Sequence, residues 1–295
     1  MNKQQPQKRW YVMMVATAVM WSMGGIFFKM LNWHPMVIAG IRSAVTSLVF
    51  FIAIKYVMKY NIIINRNTII CGAFMCYLAT AFVLANKMTT AANAIVLQST
   101  GPVFIMIISS LFLKQKYAKA DYIAVITTMG GIMLFFADNL SGGQMLGNLV
   151  ALSSGVAMAG MFLMTGNVKT DEESMNGVFI GHILTALISV PFIVTNPPTL
   201  TVQSVGIITI LGVFQLGIPY VMYTVAIRKL PVLTCSFISM LEPLLNPIWV
   251  ALFVGEVPGP FALIGAFIVI CSILLWSVYS AKQEQQQPQP QTDNI

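Results

Sequence analysis

Glu242 stands in the stretch FISMLEPLLNPIW, residues 237–249, inside a run that is otherwise apolar from Val232 to Val254. A carboxylate in such company can pair with a base, hold a cationic ligand or carry a proton. Each role requires it to face away from hydrocarbon, where an ionised carboxylate costs about 2.5–3.5 kcal/mol or more. Pro243 follows at once and Pro247 interrupts the run again. Each proline deletes a backbone hydrogen bond and clashes one turn back, so a kink facing the protein interior is expected. Two bases sit in similar surroundings: Arg42, too central in its apolar run to snorkel easily, and Lys29, near the end of the first run. Together they offer cationic and anionic contacts to one ligand, or an ion pair that holds the fold.

Uncharged polar residues extend this set. Ser239, Glu242 and Asn246 follow one another at i, i+3 and i+7, the spacing of one helical face. FQLGIPYVMY supplies Gln215, Gly217, Pro219, Tyr220 and Tyr223, and Trp21 lies deep in the first run. Gln98 occupies the position corresponding to Ser239 in the internal repeat described below. Substrate contacts are therefore expected from Lys29, Arg42, Gln98, Gln215, Tyr220, Tyr223, Ser239, Glu242, Asn246 and Trp21. Hinges are expected at Pro102, Gly217, Pro219, Pro243 and Pro247. His182, a lone helical histidine, is read as a packing residue.

Enzymatic chemistry finds little support. The two histidines, His34 and His182, form no HExxH motif, and no GxSxG, GxGxxG or Walker pattern occurs. The four cysteines lie in apolar runs without a CxxC pair and read as small buried hydrophobes. No catalytic residue, metal, cofactor or nucleic-acid partner is expected.

The elements that carry these residues must lie in a membrane. Of 295 residues, 57% are hydrophobic and 8% charged, against about 25% charged in a soluble domain. Mean hydropathy is +0.81. Ten apolar runs are long enough to span: 10–31, 35–58, 67–87, 91–113, 119–137, 145–167, 175–195, 203–227, 232–254 and 258–281. With a cytoplasmic N-terminus, Lys3, Lys8, Arg9, Lys55, Lys59, Arg66, Lys114, Lys116, Lys119, Lys169, Arg228, Lys229 and Lys282 all fall inside. Only Lys87 and Lys29 remain for the other face. The positive-inside rule then places both termini in the cytoplasm. Short loops and the absence of a removable signal point to a prokaryotic plasma (inner) membrane. Residues 1–9 and the Gln/Pro-rich 282–295 are expected to be disordered tails.

Sliding the chain by 141 residues brings Ala85 onto Ala226, Lys87 onto Arg228, Pro102 onto Pro243 and Leu111-Phe112 onto Leu252-Phe253. The shift equals five runs, an odd number, so the halves 10–137 and 145–281 would sit in the membrane with opposite orientation. Inverted repeats of this kind recur in secondary transporters. Small residues Ala151, Gly155 and Ala159, one per helical turn, and Gly130-Gly131 predict close helix packing.

ANKMTTAANAIVLQSTGPVF, YTVAIRKLPVLTCSFISMLEPLLNPIWVALFVGE and KMLNWHPMVIAGIRS resemble the EamA-type transporters of the drug/metabolite transporter superfamily, over about residues 10–279. Glu242-Pro243 and Gly255-Glu256 match the family's second-half pattern; the first half carries Lys114-Gln115 at the latter position. The resemblance implies an all-α integral membrane protein of ten transmembrane helices, two inverted five-helix repeats around a central cavity. It also implies transport of small metabolites, often outward. By position in these motifs, Lys29, Arg42 and Glu242 are residues that recur in the fold.

The expected function is secondary transport, as an exporter, of small polar metabolites, amino acids or organic carboxylates foremost, by alternating access. Glu242 also allows proton coupling. Transport of cationic amines is the alternative within this class; a lipid-carrier flippase or non-transporting membrane partner is the alternative outside it. The expected partners are the small-molecule substrate and membrane lipid, with monomer and homodimer both open.

Overall fold

The computed structural model describes residues 5–24, 27, 30–89, 91–135, 137, 145–254 and 259–286. All regular structure among them is helical. The elements are α1 (Gln5–Ser22), α2 (Pro35–Ile52), which runs on as a π-helical turn Ala53–Val57, α3 (Arg66–Met88), α4 (Ala91–Gln98), α5 (Gly101–Phe112), α6 (Lys119–Phe135) and α7 (Met145–Asn167). They continue as α8 (Asp171–Ile188), α9 (Val190–Thr195), α10 (Val202–Ile210), a π-helical segment Leu211–Gly217, α11 (Ile218–Ala226), α12 (Val232–Ser239), α13 (Leu241–Val254) and α14 (Pro260–Gln286).

Six described stretches are long and apolar enough to cross a membrane: Pro35–Val57, Arg66–Ala85, Asn93–Phe112, Met145–Asn167, Asp171–Thr195 and Val202–Ala226. Val232–Leu245 and Pro260–Trp276 are shorter apolar helices. The surface and interior are arranged for lipid. Leu48, Phe51, Ile126, Leu252, Phe267 and Leu275 are exposed, whereas Thr17, Ser43, Thr46, Ser154, Thr165, Thr185 and Gln215 are buried. Several of the buried hydroxyls bond the carbonyl one turn back on their own helix, as Thr17 does to Met13 (2.9 Å) and Thr185 to Gly181 (2.8 Å). Such bonds let polar side chains sit inside a bundle where no water would pair them.

Besides run 175–195, which is α8 and α9, two further expected single helices are each divided. Run 91–113 is α4 and α5; run 232–254 is α12 and α13. Both breaks have the same cause. A proline has no N–H for the carbonyl four residues earlier, and its ring clashes there. For Pro102 that carbonyl belongs to Gln98, and for Pro243 to Ser239, and these are the residues at which α4 and α12 end. Shifted by 141 residues, Ala91–Gln98 falls on Val232–Ser239. At the first break Thr100 bonds the Leu97 carbonyl through its hydroxyl (2.6 Å) and its amide (3.3 Å). At the second, the Met240 amide bonds Phe237 O (3.0 Å) and the Ser239 hydroxyl bonds Ser236 O (2.6 Å). The expected polar face Ser239–Glu242–Asn246 is thereby corrected. Ser239 closes one helix and Glu242 opens the next, so the three do not share a continuous helical face.

Helix ends depart from the apolar runs at the termini. The first helix begins at Gln5 and the last continues to Gln286, because Gln, Lys, Arg and Glu propagate a helix once an apolar segment has nucleated it. Residues 1–4 and 287–295 lie outside the described residues.

Helix neighbours pair across the two halves. α3 packs on α7 and α8; in the other half, α11 and its preceding π segment pack on α1 and α2. The α4–α5 pair meets α7, and the α12–α13 pair meets α1. α6 lies along α14. Small residues permit the close approaches. A Cβ on Gly155 would lie 3.0 Å from Leu97 O and 3.1 Å from Gln98 O, so α7 accepts the opened backbone of the first break only without a side chain there. At the α6–α14 contact a Cβ on Gly265 would lie 2.6 Å from both Gly131 O and Phe135 Cα, while Gly130 faces open space. Gly265 and Gly130 therefore predict opposite results. Gly265→Ala should destabilise the protein by about 1–3 kcal/mol through backbone clash. Gly130→Ala should be neutral or stabilising by up to about 1 kcal/mol, since alanine favours a helix interior. Thermal unfolding of both variants in detergent checks the pair.

Candidate substrate site

Arg42 is half-buried on α2, and its Nη1 donates to Gln215 Oε1 at 3.3 Å. Gln215 Nε2 in turn donates to the main-chain carbonyl of Trp21 at 3.0 Å. One side chain thus ties α2 to α1, and it does so from the π-helical segment. A π turn carries one extra residue and turns side chains away from their α-helical directions. The sequence permits it here because Pro219 has no amide for the Gln215 carbonyl, which removes one α-helical bond from this stretch. Thr46 Oγ1 donates to Gly212 O (2.8 Å) and pins the same segment to α2. A Cβ on Gly217 would lie 2.8 Å from Gly212 O and 2.9 Å from Val49, so close packing requires glycine there.

An aromatic wall adjoins this chain of bonds. Trp21 packs on Tyr220 with ring centroids 4.7 Å apart and on Tyr223 at 5.6 Å. Tyr220 and Tyr223 meet edge to face at 5.9 Å. His182 of α8 meets Tyr220 edge to face at 5.1 Å and Phe50 at 5.8 Å. Trp21, Gln215, Tyr220, Tyr223 and His182 are all buried.

Glu242 is half-buried in the first turn of α13. That position, just past the break, sets a carboxylate against the free amides and positive dipole end of a helix. It lies within electrostatic reach of Arg42 and of Tyr220, and Arg42 is within reach of His182. The cluster therefore holds one guanidinium, one carboxylate, an amide, an imidazole and three large rings. It draws Trp21 and Arg42 from the first half and His182, Gln215, Tyr220 and Glu242 from the second.

Of the residues expected from sequence, Trp21, Arg42, Gln215, Tyr220, Tyr223 and Glu242 come together. Ser239 is buried, but its hydroxyl is turned back to Ser236 O. Gln98 is half-buried at the first break, and among the described contacts none joins it to the cluster. Lys29, and the side chains of Asn246 and Pro247, lie outside the described residues, as does Gly255-Glu256. His182, read from sequence as a packing residue, is the addition. No local motif marks it, and only the tertiary fold brings α8 against α11.

The EamA-like transporter family model matches residues 8–137 and again 145–278. The chain belongs to that family. It is thus a multi-pass membrane transporter of the drug/metabolite transporter superfamily and not an enzyme. An uncharacterized transporter of Clostridium kluyveri is 24% identical over 92% of this chain and 94% of its own length. The threonine/homoserine exporter RhtA of Salmonella typhimurium is 24% identical over 70% of this chain and 68% of its own, and that of Escherichia coli K12 is 23% identical over 65% and 64%. A solved crystal structure superposes with a TM-score of 0.77 at 15% identity, covering 94% of this chain and 99% of that one, and shares the fold.

The bridge through Gln215 makes a prediction. Gln215→Leu removes both of its bonds and withdraws a partner from a largely buried guanidinium, which costs about 1–3 kcal/mol. The variant should unfold at a lower temperature than wild type in detergent; an unchanged melting temperature would show that the bridge contributes nothing.

Proposed function

We propose that this EamA transporter exports small zwitterionic or carboxylate metabolites, amino acids foremost, from the cytoplasm across the plasma (inner) membrane. The observation that carries the reading is a guanidinium and a carboxylate inside the bundle, Arg42 and Glu242, within electrostatic reach of one another and of Tyr220 in one aromatic wall. A guanidinium binds a carboxylate in a planar, two-bond geometry, and a carboxylate is the matching contact for an ammonium group. An amino acid carries both groups. The exporters of threonine and homoserine among the relatives support the same substrate class.

The working arrangement is ten spans in two inverted five-helix repeats, 10–137 and 145–281, with both termini cytoplasmic. Three observations support it. The family model matches the chain twice in succession. The two broken helices coincide under a 141-residue shift. The helix contacts pair between halves. Alternating access then consists of the halves rocking about the breaks at Pro102 and Pro243 and the loosened stretch at Gly217–Pro219, with Pro247 as a further bending point. Substrate contacts fall to Arg42, Glu242, Gln215, Trp21, Tyr220 and Tyr223, with Lys29 and Asn246 proposed as further lining residues. The cluster is complete within one chain, so a monomer suffices. A second reading, transport of cationic amines, draws on Trp21, Tyr220 and Tyr223 packed together near Glu242, an arrangement suited to a cation.

Counterflow in proteoliposomes, with acidic, zwitterionic and cationic metabolites inside, distinguishes these readings. Exchange of amino acids is expected. Arg42→Gln and Glu242→Gln should each lower it about 10- to 100-fold, the loss of one charge-assisted contact. Exchange of amines alone, abolished in Glu242→Gln and retained in Arg42→Gln, would replace the amino-acid reading. Proton coupling through Glu242 predicts that Glu242→Gln flattens the dependence of residual exchange on pH; an unaltered profile would remove Glu242 from coupling.

A further inference from the structure

Three buried side chains in the cluster, His182, Trp21 and Tyr223, have polar atoms that no described residue satisfies. His182 is 1% exposed, and neither Nδ1 nor Nε2 has a hydrogen-bond partner among the described residues. Trp21 is 5% exposed, and its indole Nε1–H likewise has none. Both rings pack on the same side chain, Tyr220. Buried polar atoms are almost always paired, and each one left unpaired needs a reason. Here three such nitrogens, on two helices from opposite halves, belong to rings that pack on one tyrosine ring. Phe50 supplies a ring face, and Tyr223 a ring face and a hydroxyl that likewise has no hydrogen-bond partner among the described residues.

Chemistry limits what completes them. The indole nitrogen only donates, and a neutral imidazole has one donor and one acceptor. A hydroxyl fits both, since it accepts from one group while donating to another. A methyl group fits neither. The zwitterion's charged ends are already assigned to Arg42 and Glu242, so the group reaching this wall belongs to the substrate's side chain.

We propose that His182 and the Trp21 indole form a side-chain subsite that recognises a hydroxyl on the transported amino acid and discriminates against its aliphatic isostere. The proposal rests on the amino-acid reading above. Against an apolar wall, a hydroxyl and a methyl of equal size are poorly distinguished; a site whose buried polar groups need that hydroxyl rejects the methyl strongly.

Threonine and valine differ by that one exchange, and competition between them in proteoliposome counterflow tests the subsite. Wild type should favour threonine by about 10-fold or more in half-saturating concentration. His182→Phe keeps a ring of similar size against Tyr220 and Phe50 but cannot hydrogen-bond, and should bring the threonine-to-valine ratio close to one. Trp21→Phe removes the indole N–H together with the five-membered part of the ring and should lower the ratio in part. His182→Gln, which keeps a donor and an acceptor, should retain most of it. A packing role alone would depress both substrates together and leave the ratio unchanged in every variant; that result, or a wild-type ratio near one, overturns the subsite. If His182→Phe does not fold, Trp21→Phe decides by the same ratio. Failure of folded wild type to exchange either amino acid overturns the amino-acid reading itself, and the subsite with it.

Discussion

A carbonyl without an amide four residues ahead is the constraint on which the rest of this structure depends. In water such a carbonyl would be solvated. Inside a membrane it must be met by protein or by an enclosed polar space. Pro102 and Pro243 create the problem at the same place in each half, and both helices end at the residue whose carbonyl has lost its partner. At the first break the Thr100 hydroxyl meets Leu97 O, and Gly155 leaves α7 bare enough for the exposed backbone to lie against it. At the second break the chain restarts with Glu242 in the first turn of α13. The proline that interrupts the helix thereby makes the helix N-terminus that suits a buried carboxylate. Charge and break belong to one device.

The same logic applies to α10–α11, with a different outcome. Pro219 does not divide the helix there. The backbone absorbs the missing bond as a π-helical segment, and the widened turn carries Gln215, which holds Arg42 on one side and the Trp21 carbonyl on the other. Polar groups in this bundle thus gather where prolines have disturbed backbone pairing. They also gather where the halves meet, since Arg42 and Trp21 come from the first and Gln215 and Glu242 from the second. Lipid gives no hydrophobic drive for helices to associate. Close glycine contacts such as Gly131 with Gly265, and hydrogen bonds such as Thr46 to Gly212, supply what holds the halves together.

Much of this was legible in the sequence because membrane physics writes in few symbols. Apolar runs gave the helices, and the prolines gave the interruptions. The 141-residue shift aligned two breaks whose structural bounds then coincided. Glu242 and Arg42 stood out since charge in an apolar run is rare. What sequence spacing misread was continuity. Ser239 and Glu242 look like neighbours on one helical face, but the break between them alters the register, and Ser239 bonds its own helix instead. His182 drew only a packing reading, and its place beside the cluster is likewise invisible to spacing. That place depends on a contact with Tyr220 from a helix more than thirty residues further along the chain, and no periodicity within α8 records that.

The end of the bundle that carries most of the basic residues is stitched more firmly than its loop lengths require. Arg228 donates to Asp171 Oδ1 (3.0 Å), Gly166 O (2.8 Å) and Val168 O (2.6 Å). Asn65 donates to Glu173 (2.6 Å), and Asn176 donates to Asn61 O (2.9 Å). These bonds join the connection before α3, the connection between α7 and α8, and the end of α11. In the alternating-access cycle proposed above, this end would open for part of each cycle. Bonds of this kind suit that demand better than an apolar seal. Water replaces each one as it breaks, so its net contribution is about 0.5–1.5 kcal/mol for a neutral pair and about 1.5–3 kcal/mol where a charge takes part. Several together join these connections, while none individually sets a barrier that substrate binding could not meet. The central cluster is the opposite case. Its Arg42–Gln215–Trp21 chain is largely buried, its partners have no such ready replacement, and it is better suited to remain intact while the ends exchange.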